Sequence, residues 1–401
     1  MRDDKGLLRK VVAATVAVQV AIVMASLTVP VLASLIAAAA GIPPYLVGYY
    51  SALIYACAVV TSLATPRLLR RWGGIRLHQG MLVMTSVALL ALVPAVPATL
   101  ALSAVVLGLA YGPMNPASTV LLARYTPPHL RARVFSLKQT AVPVGGALAG
   151  FASPLAAAAF GWRGTVVMLT SACAILAVSI QPWRHELGHD ELTASRRVDS
   201  GLWLPVTMLL SDRGLRVAAF AFFAFGAVQF SFTAVFPTVL VQAGWRLRDA
   251  GMAMSTALVV GFIFRVLWGG VADRIGPRPI LGIMGTMMSA AAFIAAFVGP
   301  TWPATAIALL AVLYGLSAFC WAGIGIAEAV RQVLPAMIPE VSAGTISVTF
   351  FGALCGPALF STTTAVTGSF RPAFLLLGAI SALPSILLLY PSRRADHSGS
   401  A

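Results

Sequence analysis

Gly269-Gly-Val-Ala-Asp273-Arg274-Ile-Gly276-Pro-Arg278 is the stretch that decides the fold. It closes a long apolar run, and that run carries a lone arginine, Arg265, eight residues before Asp273. Gly269 and Gly276 permit a close helix approach and a tight turn. Asp273 suits the positive end of a neighbouring helix dipole. Arg274 and Arg278 add positive charge and are candidates for ionic locks.

Composition around this stretch excludes a water-soluble globule. The 401 residues are 59% hydrophobic and 10% charged, with a mean hydropathy of +0.91, whereas soluble domains carry about 25% charged residues. A spanning helix needs about 20 apolar residues. Runs between charged or Pro/Gly-rich breaks give twelve such helices, near 11–38, 44–64, 78–97, 99–123, 134–158, 164–182, 215–241, 249–271, 279–299, 304–328, 343–367 and 371–390. The longest polar stretch, with Glu186, Asp190, Glu191, Asp199 and Asp212, separates two halves. Residues 1–183 form a first six-helix bundle, 184–214 a cytosolic linker and 215–401 a second bundle.

The net charge of +15 is distributed in a way that excludes nucleic acid as a partner, because Lys and Arg cluster in short loops between apolar runs. With a cytosolic N-terminus, all but six of the 27 fall on the cytosolic side, Arg67, Arg70, Arg71, Arg76, Arg124, Arg131 and Arg133 among them. Arg163, Arg246, Arg248 and Arg371 fall opposite, and Lys138 and Arg265 remain within helices. This bias predicts a multi-pass protein of the cell (inner) membrane with both termini in the cytosol. Arg9-Lys10 precedes an apolar run far longer than a signal-peptide core of about 7–15 residues, so the run reads as a retained first span. Cys57, Cys173, Cys320 and Cys355 lie in apolar runs without Cys-x-x-Cys spacing, as buried thiols do. No cofactor is implied, and no cluster of His, Asp, Glu or Cys at one membrane face suggests an enzyme.

The halves repeat. At an offset of 207 residues Gly108 matches Gly315, Arg124 matches Arg331, Pro128 matches Pro335, Gly145 matches Gly352 and Gly161 matches Gly368. Paired six-helix repeats with a midplane site between them are a transporter plan.

The 269–278 stretch closely resembles the loop motif between helices 8 and 9 of the major facilitator superfamily. With the helix count, linker and repeat, the resemblance covers essentially the whole chain. It implies an all-α integral membrane protein with twelve transmembrane helices in two pseudo-symmetric six-helix bundles. It also implies a monomeric transporter, not an enzyme, that moves a small molecule across the bilayer by alternating access. The equivalent stretch of the first half departs from the pattern: in Pro66-Arg-Leu-Leu-Arg70-Arg71-Trp-Gly73-Gly-Ile-Arg76, Arg70 stands where the family usually has Asp. Unequal locking of the two halves is therefore expected. Pro143-Val-Gly145-Gly146 is a fragment of a motif of drug/proton antiporters, and small-residue packing is its stronger reading.

Charge inside hydrocarbon is costly and marks function. All five histidines, His78, His129, His185, His189 and His397, fall in loops or at helix ends, and no carboxylate is placed in a helix interior. The embedded charges are positive, which favours an anion. Arg265 lies about 12 Å along its helix from Asp273, and its guanidinium suits bidentate grip of a carboxylate. Arg265-x-x-x-Gly269 resembles the arrangement in monocarboxylate transporters, oxalate–formate exchangers and nitrate transporters, where the matching arginine binds the anion. Nitrate itself is disfavoured, because helix 2 offers only Tyr55 at the depth of the second arginine. The competing reading of Arg265 is a side chain snorkelling to the interface. Lys138 is either a second anchor or the last cytosolic lysine. Gln19, Tyr55, Asn115 and Gln229 come from helices that line the cavity in the superfamily, and each is a contact or an interhelical hydrogen bond. Gly112-Pro113-Met-Asn-Pro116 predicts a local break in helix 4. Trp321 either caps an apolar part of the substrate or packs in the core. The resulting expectation is a transporter of a small organic anion, first among them a monocarboxylate, with protons as candidate coupling ion. The alternative is an efflux permease for hydrophobic or neutral compounds.

Overall fold

A computed structural model describes residues 2–127, 134, 137–183, 204–210, 212–333 and 337–390. The expected linker lies mostly outside them, as do Arg131, Arg133, His129, His185, His189 and His397. In order, the α-helices are α1 (Arg2–Val31), α2 (Ala33–Ala40), α3 (Val47–Trp72), α4 (Gly74–Leu90), α5 (Pro97–Tyr111), α6 (Met114–Tyr125), α7 (Ala141–Ser179) and α8 (Leu204–Leu209). There follow α9 (Arg213–Gln242), α10 (Leu247–Ile275), α11 (Pro277–Ala295), α12 (Ala304–Ala318), α13 (Trp321–Val330), α14 (Ile338–Thr367) and α15 (Phe370–Leu389). Their starts follow ordinary chemistry. Pro97 and Pro277 sit at first-turn positions that need no amide donor. Asp212 and Ser369 accept hydrogen bonds from the Gly214 and Arg371 amides as N-caps.

Ten segments among the described residues are long and apolar enough to cross a membrane. The longest, Leu137–Ser179, runs 43 residues, and Gly161, at φ 70° and ψ 165°, breaks α7 inside it. Helix α4, at 17 residues, is shorter than any of the ten. The twelve spans of the sequence reading are reached only by dividing α7 at Gly161 and admitting α4.

Backbone geometry repeats between the halves. The six glycines of positive φ among the described residues fall into three pairs: Gly41 with Gly244, Gly73 with Gly276, and Gly161 with Gly368. The first two pairs are 203 residues apart and the third 207. The interhelix contacts keep the same two offsets. Gly145 of α7 packs on the Val20 carbonyl and Val23 of α1, and Gly352 of α14 on the Phe223 carbonyl and Ala227 of α9. Gly108 meets Ile54 and Cys57, while Gly315 meets Ala257 and Val260. A side chain at any of these crossings would run into backbone, so the glycines set how closely the helices approach.

The halves meet at the end opposite the Gly73 and Gly276 turns. There the hydroxyls of Tyr49 and Thr362 share a hydrogen bond of 2.6 Å, and Ser361 donates to the Tyr45 carbonyl at 2.6 Å, joining α14 to the start of α3. Ser255 of α10 donates to the Ala147 carbonyl of α7 at 2.9 Å, beside the close approach of Gly150 and Gly251. The end with the two turns carries Arg71, Arg76, Arg274 and Arg278 and is called the basic end below. A cavity of about 730 Å³ opens there, lined by α10 and α13.

Candidate substrate site

Arg265 stands on α10 at the junction of two cavities. One is the 730 Å³ vestibule, which it shares with Gly269, Asp273, Cys320 and Arg331. The other is central and lies between the halves. Tyr55, Tyr111 and Pro143 line it from one side, Gln229, Phe230, Thr233, Phe262 and Phe319 from the other. Arg265 keeps accessible surface, and that surface faces these cavities.

A break in the chain explains how the charge is held. Helix α12 ends at Ala318 and α13 starts at Trp321, so carbonyls at the end of α12 have no helical partner. Arg265 donates from Nη2 to the freed Phe319 carbonyl at 2.8 Å. A helix C-terminus favours a cation, so the guanidinium is stabilised without a carboxylate. Its remaining donors have no protein partner among the described residues and are available to a ligand. The first half breaks at the matching place, between α5 and α6 at Gly112-Pro113, as its glycine and proline predict. The break at Phe319-Cys320 has no such marker and went unread.

Gln229 is held from behind. Trp321, almost fully buried between Phe222 and Phe225, donates its indole N–H to Gln229 Oε1 at 2.9 Å. Trp321 is thus a core residue that orients an amide, not a cap over substrate. With Oε1 occupied, the Gln229 amide nitrogen remains as a donor at the cavity. Tyr55 is enclosed by aromatic rings: Phe230 at 4.6 Å, Tyr111 at 5.8 Å and Phe350 at 6.3 Å between centroids. Tyr111 and Phe230 were missed in the sequence. Their signal was position, since Tyr111 is one turn before Asn115 and Phe230 adjoins Gln229.

Gln19, Asn115 and Lys138 form a separate group. Lys138 Nζ donates to Asn115 Oδ1 at 2.8 Å, and Gln19 Nε2 donates to the same oxygen at 3.2 Å. Val23, Tyr111 and Val142 line the central cavity, and each is one helical turn from Gln19, Asn115 and Lys138 respectively. The trio therefore lies about 5 Å nearer the basic end. Lys138 is 2% exposed, so it does not reach the interface. His78 departs from the sequence expectation. Because α4 begins at Gly74, directly after the positive-φ Gly73, the imidazole sits five residues into the helix with no exposure.

The acidic and basic members of the turn motif are placed differently. Asp273 is exposed and has no hydrogen-bond or ion-pair partner among the described residues. Arg274 is exposed as well. Arg278 stands 3.9 Å from Glu328 and donates to the Leu387 carbonyl at 3.0 Å. Arg71 of the first half is exposed, and Arg70 directly precedes it at the end of α3.

The chain belongs to the major facilitator superfamily, whose family model matches residues 14–350. It is therefore a membrane transporter and not an enzyme. A hexuronate transporter of Bacillus subtilis (strain 168) is 24% identical over 308 residues, covering 71% of each chain. Among solved structures, the nucleoside transporter NupG superposes with a TM-score of 0.77 at 14% identity, over 96% of this chain and 98% of that one. A bacterial homolog of the human lysosomal transporter Spinster, inward-facing and unoccupied, gives 0.72 at 15% identity, over 96% and 95%. A POT family transporter in complex with 5-aminolevulinic acid gives 0.74 at 14% identity, over 94% and 95%.

Proposed function

We propose that this transporter carries a small organic anion whose carboxylate is received by Arg265. The observation that carries the reading is the pairing of Arg265 with a backbone carbonyl alone, which leaves a partly buried guanidinium able to take a two-point grip on a carboxylate. Gln229, Tyr55, Tyr111 and Thr233 add hydrogen-bonding groups around it. The hexuronate transporter relative makes a sugar acid the first substrate to test, with simple monocarboxylates beside it. The central cavity measures about 60 Å³, room for about two waters at roughly 30 Å³ each. A sugar acid is several times larger, so it binds only as the two bundles, divided by the 184–214 segment, rock apart. The protein acts as a monomer in the inner membrane with its basic end in the cytosol, and the open vestibule is then the inward-facing one.

The aromatic lining of Tyr55, Tyr111, Phe230, Phe262 and Phe319 supports the second reading, export of a neutral hydrophobic compound. Uptake into proteoliposomes separates the two. The panel is labelled glucuronate, lactate, benzoate and a neutral amphiphile, with wild type against Arg265→Gln. Selective loss of the acids in the variant supports the anion reading. Transport of the acids at wild-type rate and affinity removes it.

A further inference from the structure

Lys138 and His78 are two buried bases that the substrate site does not use. Both pack on the first turns of α6, from different neighbouring segments. On one side, Lys138 Nζ reaches Asn115 Oδ1 at 2.8 Å, the Asn115 carbonyl at 3.4 Å and Thr119 Oγ1 at 3.5 Å. On the other, His78 Nδ1 meets the Gly74 carbonyl at 2.8 Å and Nε2 meets Ser118 Oγ at 3.2 Å. No carboxylate faces either base among the described residues. Helix α1 presents Gln19, and α6 presents Asn115, Ser118 and Thr119. The charged group acting on His78 is Lys138. Arg9 and Lys10 of α1 and Arg124 of α6 lie about two and a half turns further toward the basic end, and Arg76 of α4 is exposed.

The hydrogen-bond directions define what each base is built to hold. A carbonyl only accepts, so His78 Nδ1 carries a hydrogen for Gly74. Ser118 spends its own hydrogen on the Met114 carbonyl at 2.6 Å. Turned that way its oxygen accepts from Nε2–H of an imidazolium, and rotated to Nε2 the same hydroxyl donates to a neutral ring, so the contact suits either state. Lys138 likewise finds three acceptors for the three hydrogens of an ammonium. Two such cations side by side in a membrane, with no anion between them, repel strongly. The arrangement accommodates one charge, on either base.

We propose that Lys138 and His78 share a single proton and form the coupling site of this transporter, apart from Arg265. The exchange is balanced: the proton on His78 Nε2 leaves a neutral imidazole when Lys138 Nζ takes one up, and the reverse. Asn115 connects the site to the transport cycle. It stands in the first turn of α6, just past the Gly112-Pro113 break, so bending there moves the principal acceptor of the ammonium. Gln19 Oε1, fully buried and without a partner among the described residues, is a further acceptor beside Asn115 for Lys138 to adopt. The inference rests on the chain being a transporter and not on the substrate being an anion.

The sequence holds three lysines, Lys5, Lys10 and Lys138, which allows a direct measurement without substrate. Full-length protein with ¹³C-labelled lysine is titrated by NMR in micelles from about pH 5 to about pH 10, a range that brackets imidazole and stops short of the ordinary amine value of about 10.4, and Lys138→Arg assigns the signal. The expected result is a Lys138 signal that titrates within this range, with a midpoint moved by about one pH unit in His78→Gln. A Lys138 signal that stays constant, or a midpoint indifferent to His78→Gln, overturns the proposal. In proteoliposomes with labelled glucuronate, Lys138→Gln and His78→Gln should lose accumulation driven by a pH gradient at least ~10-fold, the scale of a shift of about one pH unit, while counterflow exchange persists. Equal loss of both overturns the coupling role. Arg265→Gln with no uptake but an unchanged lysine titration separates failure of the substrate reading from failure of this one.

Discussion

The two halves share a backbone and differ in what fastens it. In the second half the Gly276 turn is held by charge: Arg278 faces Glu328 at 3.9 Å, and Gln332 donates to the same carboxylate at 3.1 Å. Counting back by the two repeat offsets, Arg278 corresponds to Ile75 and Glu328 to Leu121. Ile75 and Leu121 are buried in one apolar cluster with Val11 and Leu122, and Leu121 covers Gly74 beside the Gly73 turn. One turn is latched by ions and the other by hydrocarbon. Their embedded cations also differ in place. Arg265 corresponds to Ser62 and Lys138 to Thr345, so neither half repeats the other's charge. The halves share crossings and turns, while the chemistry each carries is its own.

The sharpest test of that division is Arg265→Gln against Ser62→Ala. Losing one member of a buried charge–ligand pair costs about 2–5 kcal/mol, roughly 30- to 5,000-fold in affinity, whereas Ser62→Ala should leave uptake of the same acid near wild type. Affinity measured by uptake kinetics decides it, and equal losses would break the comparison. Next comes the apolar latch. Leu121→Ala should lower stability by about 2–5 kcal/mol as a core truncation, read as a melting shift in detergent that added salt does not alter. The helix crossings are expected to respond alike, because Gly145→Leu and Gly352→Leu both force a side chain into backbone, at about 1–3 kcal/mol. A melting loss in one and not the other would show that the crossings are not equivalent. The smallest effect is expected for Glu328→Gln. An ion pair of this length contributes at most about 1 kcal/mol, and its effect on melting should fade in high salt.

Most of the scaffold was legible in the sequence because long apolar runs, basic loops and glycine punctuation each have one dominant physical meaning in a membrane. Gly161 and Gly368 marked their turns, and Gly112-Pro113 marked the break in helix 4. The break at Phe319-Cys320 was hidden because no residue type there forbids helix, and its contacts with Gly261 of α10 come from a distant part of the chain. The depth of His78 was hidden for a related reason: two glycines, 73 and 74, allow either boundary, and four residues of difference move an imidazole from the edge into the core. Arg265 was found by its charge alone. Its partner, a main-chain carbonyl 54 residues away, carries no side-chain signature. The bond between Lys138 and Asn115 depends on how α6 meets the segment leading into α7, which no local pattern specifies.

The closed contacts of α3 with α14 and α7 with α10 also have an electrical consequence. A vestibule of about 730 Å³ reaches as far as Arg265, while the central cavity on its other side holds only about 60 Å³ among aromatic rings. Water conducts and packed side chains insulate, so in this state the membrane voltage falls across the sealed part. One elementary charge crossing the full potential changes energy by about 2.3 kcal/mol per 100 mV. An ion that has travelled the vestibule to Arg265 has met little of that field, and the voltage acts on it when the bundles rock.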